Sequence, residues 1–162
     1  MSFAKIIARP RFASFFMGLA FVGVIPCTAL AQAPMCSASV QVDDTLRFSP
    51  AQIEVPASCA QFTVLLSHQG RLPKVASPRN WVLTKTEDAD GVARDAELAG
   101  KNNGWVKPGD ARVLATSTVI GRGETVRIEV DVAGLAAGVP YTYLSTIPGF
   151  SPVLRGTLTV AP

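Results

Sequence analysis

The chain carries one histidine, His68, and three cysteines, Cys27, Cys36 and Cys59, so its means for metal or covalent chemistry are few. Ser67 sits beside His68, but neighbours on a strand point to opposite faces and no Gly-x-Ser-x-Gly elbow surrounds it. Ser145 has no histidine base assigned to it by spacing, so nucleophilic catalysis has no support. Asp88-Ala-Asp90-Gly91 lacks the alternating ligands and downstream bidentate glutamate of a calcium loop and reads as a solvated acidic flap. Gly121-Arg-Gly123 is too short to cradle a phosphate and reads as a hairpin turn. With no acid, base and nucleophile grouped together, the expectation is that this is not an enzyme.

Residues 1–31 have the plan of a secretory signal: basic Lys5, Arg9 and Arg11, an apolar run from Phe12 to Ile25, and Ala29-Leu30-Ala31 before Gln32. A membrane span fits less well, because Pro26 breaks the run and the cleavage-like triplet ends it. A lipidated Cys27 fits poorly beside Pro26. Cleavage leaves residues 32–162 as a single expected domain, exported to the periplasm, with no membrane contact afterwards. It also removes three of the fifteen basic residues and none of the twelve acidic ones, leaving a net charge of zero. The basic pI thus belongs to the signal, and no cationic face for nucleic acid is implied. Cys36 and Cys59 remain, bound for an oxidising compartment, and a disulfide is their expected state. Such a bridge stabilises by roughly 3 to 4 kcal/mol in the loop-entropy account. Metal ligation by these two is disfavoured, because no second histidine or further thiol accompanies them.

The elements that position these residues read as short strands. Apolar alternation recurs at 37–42, 52–55, 62–66, 81–83, 112–114, 126–132, 141–144 and 156–160. Val126, Ile128, Val130 and Val132 fall on one face, and Arg127, Glu129 and Asp131 on the other. Proline and glycine turns separate the runs, as at Ser49-Pro50 and Lys107-Pro-Gly-Asp110. Eight such segments predict an all-β, eight-stranded Greek-key sandwich. The stretch from Thr86 to Gly104 breaks the rhythm, and its acidic start and alanines predict a short helical flap.

Several blocks together resemble azurin, the small periplasmic cupredoxin: Met35-Cys36-Ser37, Ser58-Cys-Ala-Gln-Phe-Thr-Val64, Leu66-Ser-His-Gln-Gly70, Leu72-Pro-Lys74, Asn80-Trp-Val-Leu83, Lys107-Pro-Gly-Asp110 and Pro148-Gly149. The resemblance spans essentially the whole mature chain and implies a cupredoxin-like sandwich with a Cys36–Cys59 bridge. It implies that His68 packs near the core, off the metal. It also implies a type 1 copper site built from a glycine carbonyl, two histidines, a cysteine and a methionine. Here those positions read Pro78, Arg79, Ser145, Phe150 and Leu154. Such a copper centre relies on thiolate and imidazole for most of its affinity.

The expectation is therefore a protein with no cofactor, its vacated pocket plugged by Phe150 and Leu154. Arg79 is expected to face solvent or to lie over the Phe150 ring. The family docks redox partners through an apolar patch, and the matching residues Leu72, Ile147, Pro148 and Phe150 are the expected contact face for a periplasmic protein. The alternatives are a copper electron-transfer protein of the azurin type, or a weak copper carrier using His68 and the N-terminal amine.

Overall fold

The computed structural model describes residues 35–161; the signal sequence read at 1–31 lies outside them. Nine strands are described: β1 Ser37–Val42, β2 Phe48–Ser49, β3 Gln52–Val55, β4 Gln61–His68, β5 Val82–Lys85, β6 Ala115–Thr116, β7 Thr125–Asp131, β8 Tyr141–Leu144 and β9 Arg155–Val160. They form two sheets, ordered β2-β1-β4-β7 and β3-β9-β8-β5-β6, giving the expected all-β sandwich. Two details differ from the sequence reading. Phe48–Ser49 adds a two-residue rung beside β1, and Arg112–Leu114 is not a strand, the pairing beside β5 falling to Ala115 and Thr116 instead.

The chain crosses between sheets repeatedly, so sequence neighbours are often not sheet neighbours. β1 therefore runs parallel to β4, and β3 parallel to β9, while β4–β7, β5–β8 and β8–β9 are antiparallel. Alternation along β7 buries Ile128 and Val130 and exposes Arg127, Glu129 and Asp131. Val40, Val64, Leu66 and Leu158, each fully buried, meet between the sheets. Side chains of this kind each contribute roughly 1.5 to 3 kcal/mol on burial. Trp81 also lies within this core, stacked on Tyr143 at 5.3 Å. Opposite Tyr143, β9 carries Gly156, where an added Cβ would lie 2.1 Å from the tyrosine ring, so only glycine admits that close packing. Cys36 and Cys59 form the expected disulfide, tying the start of β1 to the turn before β4.

Between β5 and β6 the chain leaves the sandwich as helix α1, Ala89–Ala99, preceded by a 3-10 turn at Thr86–Asp88 and followed by another at Lys101–Asn103. Ala89, Val92 and Ala96 face inward at helical spacing. Gly100 and Gly104, with φ of +73° and +62°, end the two helical segments in conformations that glycine adopts without strain. Outside, Arg112 bridges Asp95 of α1 and Asp110, each at 2.6 Å.

Candidate functional site

Because β5 and β8 are antiparallel, the residues just before β5 and just after β8 arrive at the same end of the sandwich. That end gathers Arg79, Asn80, Ser145 and Thr146 into one buried polar group. Asn80 is at its centre and is fully buried. Its Nδ2 donates to the Gly104 carbonyl at 3.1 Å and to Thr146 Oγ1 at 2.8 Å. Its Oδ1 accepts from Ser145 Oγ and from the Thr146 N–H, both at 3.0 Å. All four hydrogen-bonding positions of the amide are thus filled. Thr146 Oγ1 in turn donates to the Trp105 carbonyl. One side chain therefore joins β5, the end of β8 and the loop after α1.

Arg79 is 1% exposed, so the solvent-facing alternative is corrected. Its guanidinium carbon instead lies 4.4 Å from the centre of the Phe150 ring. Nη1 donates to the Pro78 carbonyl at 2.7 Å and Nη2 to the Asp43 carbonyl at 3.2 Å, while Nε has no partner. Burial pulls the guanidinium pKa down, and the charges of Asp44 and Asp43 pull it back up. A buried cation is tolerable when carbonyl dipoles and an aromatic face replace its hydration. The backbone of Arg79 also pairs with Ile120 in both directions, at 2.9 and 2.7 Å.

The five positions assigned to ligands by resemblance do converge. Ser145 N–H donates to the Leu154 carbonyl at 3.0 Å, Leu154 N–H donates to the Phe150 carbonyl at 2.8 Å, and Phe150 carries Arg79 on its face. Leu154 is fully buried in the core and Phe150 packs half-buried against it. Pro78 is half-buried.

His68 is 1% exposed, at the end of β4, matching its expected place near the core. Its Nδ1 accepts from the Gly70 N–H at 3.0 Å, and its Nε2 lies 3.3 Å from Ser77 Oγ. Ser77 Oγ donates to Asp44 Oδ1 at 2.9 Å, and Asp44 Oδ2 accepts from the Arg71 N–H at 2.7 Å. The Arg71 N–H is the main cause of the lowered Asp44 pKa, and Ser77 and the Leu72 N–H add to it. Both ring nitrogens of His68 are engaged, which leaves no accessible lone pair for the weak copper carrier considered above. Among the described residues, no group of three or more His, Cys, Asp or Glu side chains is placed to hold a metal ion.

Of the expected contact face, Leu72 is 48% exposed and Pro148 is exposed, but Phe150 is half-buried and Ile147 only 5% exposed. Ile147 is thus a floor beneath the face. Sequence reasoning missed Val75, which is 90% exposed beside Leu72, and the organising role of Asn80. The block Asn80-Trp-Val-Leu83 within the resemblance carried the signal for Asn80, since a buried amide between two loops must find partners.

The two-sheet sandwich with its flap, and a loop end that gathers the 78–80 and 145–154 segments, define the cupredoxin class. Comparison with known proteins agrees. The profile of the copper binding proteins of the plastocyanin/azurin family matches residues 34–161. An azurin from Bordetella pertussis is 43% identical over 141 residues, covering 87% of this chain and 93% of that protein. The azurin of Pseudomonas aeruginosa is 38% identical, covering 86% of this chain and 97% of its own length. Among solved structures, an azurin (Az-iso2) from the obligate methylotroph Methylomonas sp. strain J superposes with a TM-score of 0.75 at 41% identity, covering 78% of this chain and 98% of that one. The chain belongs to the plastocyanin/azurin family of copper binding proteins and is not an enzyme.

These comparisons overturn the expectation of no cofactor: the family is one of copper binding proteins, and copper is the cofactor to which the relatives point. The side chains at the expected ligand positions do not fit a type 1 copper ion. A guanidinium is itself a cation, the Phe150 ring and Leu154 side chain offer no lone pair, and the single oxygen of Ser145 is already bonded to Asn80. Both described cysteines are spent in the disulfide.

Proposed function

We propose that this chain is an exported, azurin-family domain that departs from the type 1 ligand set and works by protein contact at its loop end. Residues 1–31 act as its signal, and residues 32–162 act in the periplasm. The observation that carries this reading is a hydrogen-bonded scaffold at and beside the positions that the resemblance implies for ligands. Asn80 with all four bonds made, and Arg79 on Phe150, hold the loops that present Leu72, Val75 and Pro148 to solvent. Rigid loops bearing exposed apolar side chains bind with less ordering cost than mobile ones. The fold supplies the platform, and the loops supply the contact.

The test is capture of partners from periplasmic extract by the mature domain and by Leu72→Asp and Pro148→Asp variants. Selective loss of one captured protein in both variants is the expected result; equal recovery by all three proteins removes the reading. Ile147 is unsuitable for this experiment, because a charge at a buried floor position disturbs the fold.

A second reading is copper electron transfer of the azurin type, favoured by the family profile and by the 43% identity to the Bordetella azurin. An intense thiolate-to-copper absorption band on adding Cu(II) to the purified domain establishes it and displaces the first. A thermal melt with and without Cu(II) reports any copper specific to the folded state, since such a ligand raises apparent stability by mass action.

A further inference from the structure

A groove of about 510 Å³ opens beside the loop end. Its apolar wall is made by Val75, Pro78, Trp105 and Val119 over the Ile147 floor, and Lys74 and Lys101 stand among its lining residues. The volume lies within the range of sites that take one small ligand or one large side chain. It shares only Ile147 with the contact face expected from resemblance.

Two independent features mark this groove as more than a surface crease. Trp105 has φ of +60°, a conformation unusual for a bulky residue, and it is held there by its N–H on the Gly100 carbonyl at 3.1 Å and by Thr146 on its own carbonyl. The Asn80 scaffold therefore fixes the aromatic wall through Thr146. The second feature is charge. No acidic side chain lines the groove. Lys101 makes no ion pair among the described residues, and Lys74 meets one carboxylate, Glu124, at 2.8 Å. Nearby Arg71 and Arg122 make no ion pair among the described residues either, and Arg122 donates to the Arg71 carbonyl at 3.3 Å. Of the two acids in the adjoining loop, Asp44 is spent on the Arg71 N–H, the Leu72 N–H and Ser77, and Asp43 accepts from the N–H and hydroxyl of Thr45.

We infer that this groove seats one apolar side chain from an acidic segment of a partner protein, with Lys101 and Lys74 facing carboxylates on either side of it. The inference rests on the protein-contact reading above and names the partner's chemistry. An aromatic wall fixed in advance, with a desolvated floor and a charged rim, is the anatomy of an interface anchor. The cationic rim selects acidic partners and speeds encounter with them. A second copy of this chain fits poorly. A two-fold contact repeats the same patch on both sides and sets lysine against lysine across the groove.

Trp105 reports directly on occupancy, because the only other tryptophan, Trp81, is fully buried in the core. The probes are a blocked peptide with one phenylalanine between two runs of glutamate, and the same peptide with lysine in place of glutamate. The expected result is a saturable change in Trp105 emission with the acidic peptide alone. Binding should be lost in Val75→Asp, weakened about tenfold in Lys101→Glu, and weakened by added salt. Val75 and Lys101 are exposed, so unchanged melting temperatures confirm that the variants are folded. No response to the acidic peptide, or an equal response to both peptides, overturns the inference. So does a response only to vesicles containing anionic phosphatidylglycerol, which assigns the groove to a membrane surface. Concentration-dependent dimerisation abolished by Val75→Asp overturns it in favour of self-association. If partner capture is lost in Leu72→Asp but kept in Val75→Asp, the groove inference fails while the broader protein-contact reading stands.

Discussion

Arg79 and Arg112 meet the same electrostatic problem with opposite solutions. Arg79 is buried and bonded to two carbonyls, with a phenyl ring against its plane and no carboxylate in direct contact. Arg112, on the flap side, is one-third exposed and clasps Asp95 and Asp110 at 2.6 Å each. Burial lowers the pKa of the first, whereas the hydrogen bonds that the second donates to Asp110 and then Asp95 raise its own. The contrast shows where specificity resides. Carbonyls and aromatic faces are fixed by the fold, so the Arg79 arrangement defines loop shape. Carboxylates on exposed side chains are adaptable, so the Arg112 clasp fastens the flap without shaping the site.

The largest expected effect lies at the scaffold supporting Arg79. Asn80→Ala leaves the Ser145 hydroxyl, the Thr146 N–H and the Gly104 carbonyl without their partner. Urea unfolding should show a loss of about 3 to 5 kcal/mol, from several unsatisfied buried groups and a small cavity together. A loss below about 1 kcal/mol would mean that water replaces the amide and that the loop end is not a rigid scaffold.

Next comes Arg79 itself. Arg79→Ala should cost about 2 to 4 kcal/mol, because it removes the stem that fills the site and frees the Asp43 and Pro78 carbonyls. Arg79→Met frees the same two carbonyls but keeps most of the volume and removes the desolvation cost of a cation, which offsets them, so it should lie within about 1 kcal/mol of the parent. Equal losses in the two variants would show that the charge, rather than the packing, holds the loops together.

The sandwich was legible because alternation in runs such as 126–132 is dictated by one buried face, and that same face persists in β7. The parallel pairings of β1 with β4 and β3 with β9 were not, since period-2 alternation says which face is buried but not which strand lies alongside. At the site, the residue types at the positions that the resemblance implies for ligands were plain in the sequence alone. How they pack was only half visible. The Arg79–Phe150 contact followed from the cost of a lone buried charge, but the Asp43 carbonyl that accepts from Arg79 comes from a loop 36 residues earlier. The groove was hidden for the same reason: its walls come from four separate chain segments, and no local pattern marks them.

The smallest effect separates the two arginines by pH. The Arg112 guanidinium holds the Asp110 carboxyl down from 3.8 to about 2. Because the folded pKa is depressed, this contribution is complete above the unfolded carboxylate pKa and is lost as pH falls from about 4 through about 2. Arg112→Ala should therefore be less stable than the parent near neutrality, by an amount that solvent screening keeps modest; most of that difference should be gone at pH 2, where Asp110 is about half protonated, and the rest below it. The carbonyl partners of Arg79 do not titrate, and only its longer-range attraction to Asp44 and Asp43 responds to acid. The stability difference between the parent and Arg79→Met should stay nearly level across the same range. Chemical denaturation of the three proteins between pH 2 and pH 7 gives both curves. Parallel curves for Arg112→Ala and Arg79→Met would mean that the two arginines are held by the same kind of partner after all.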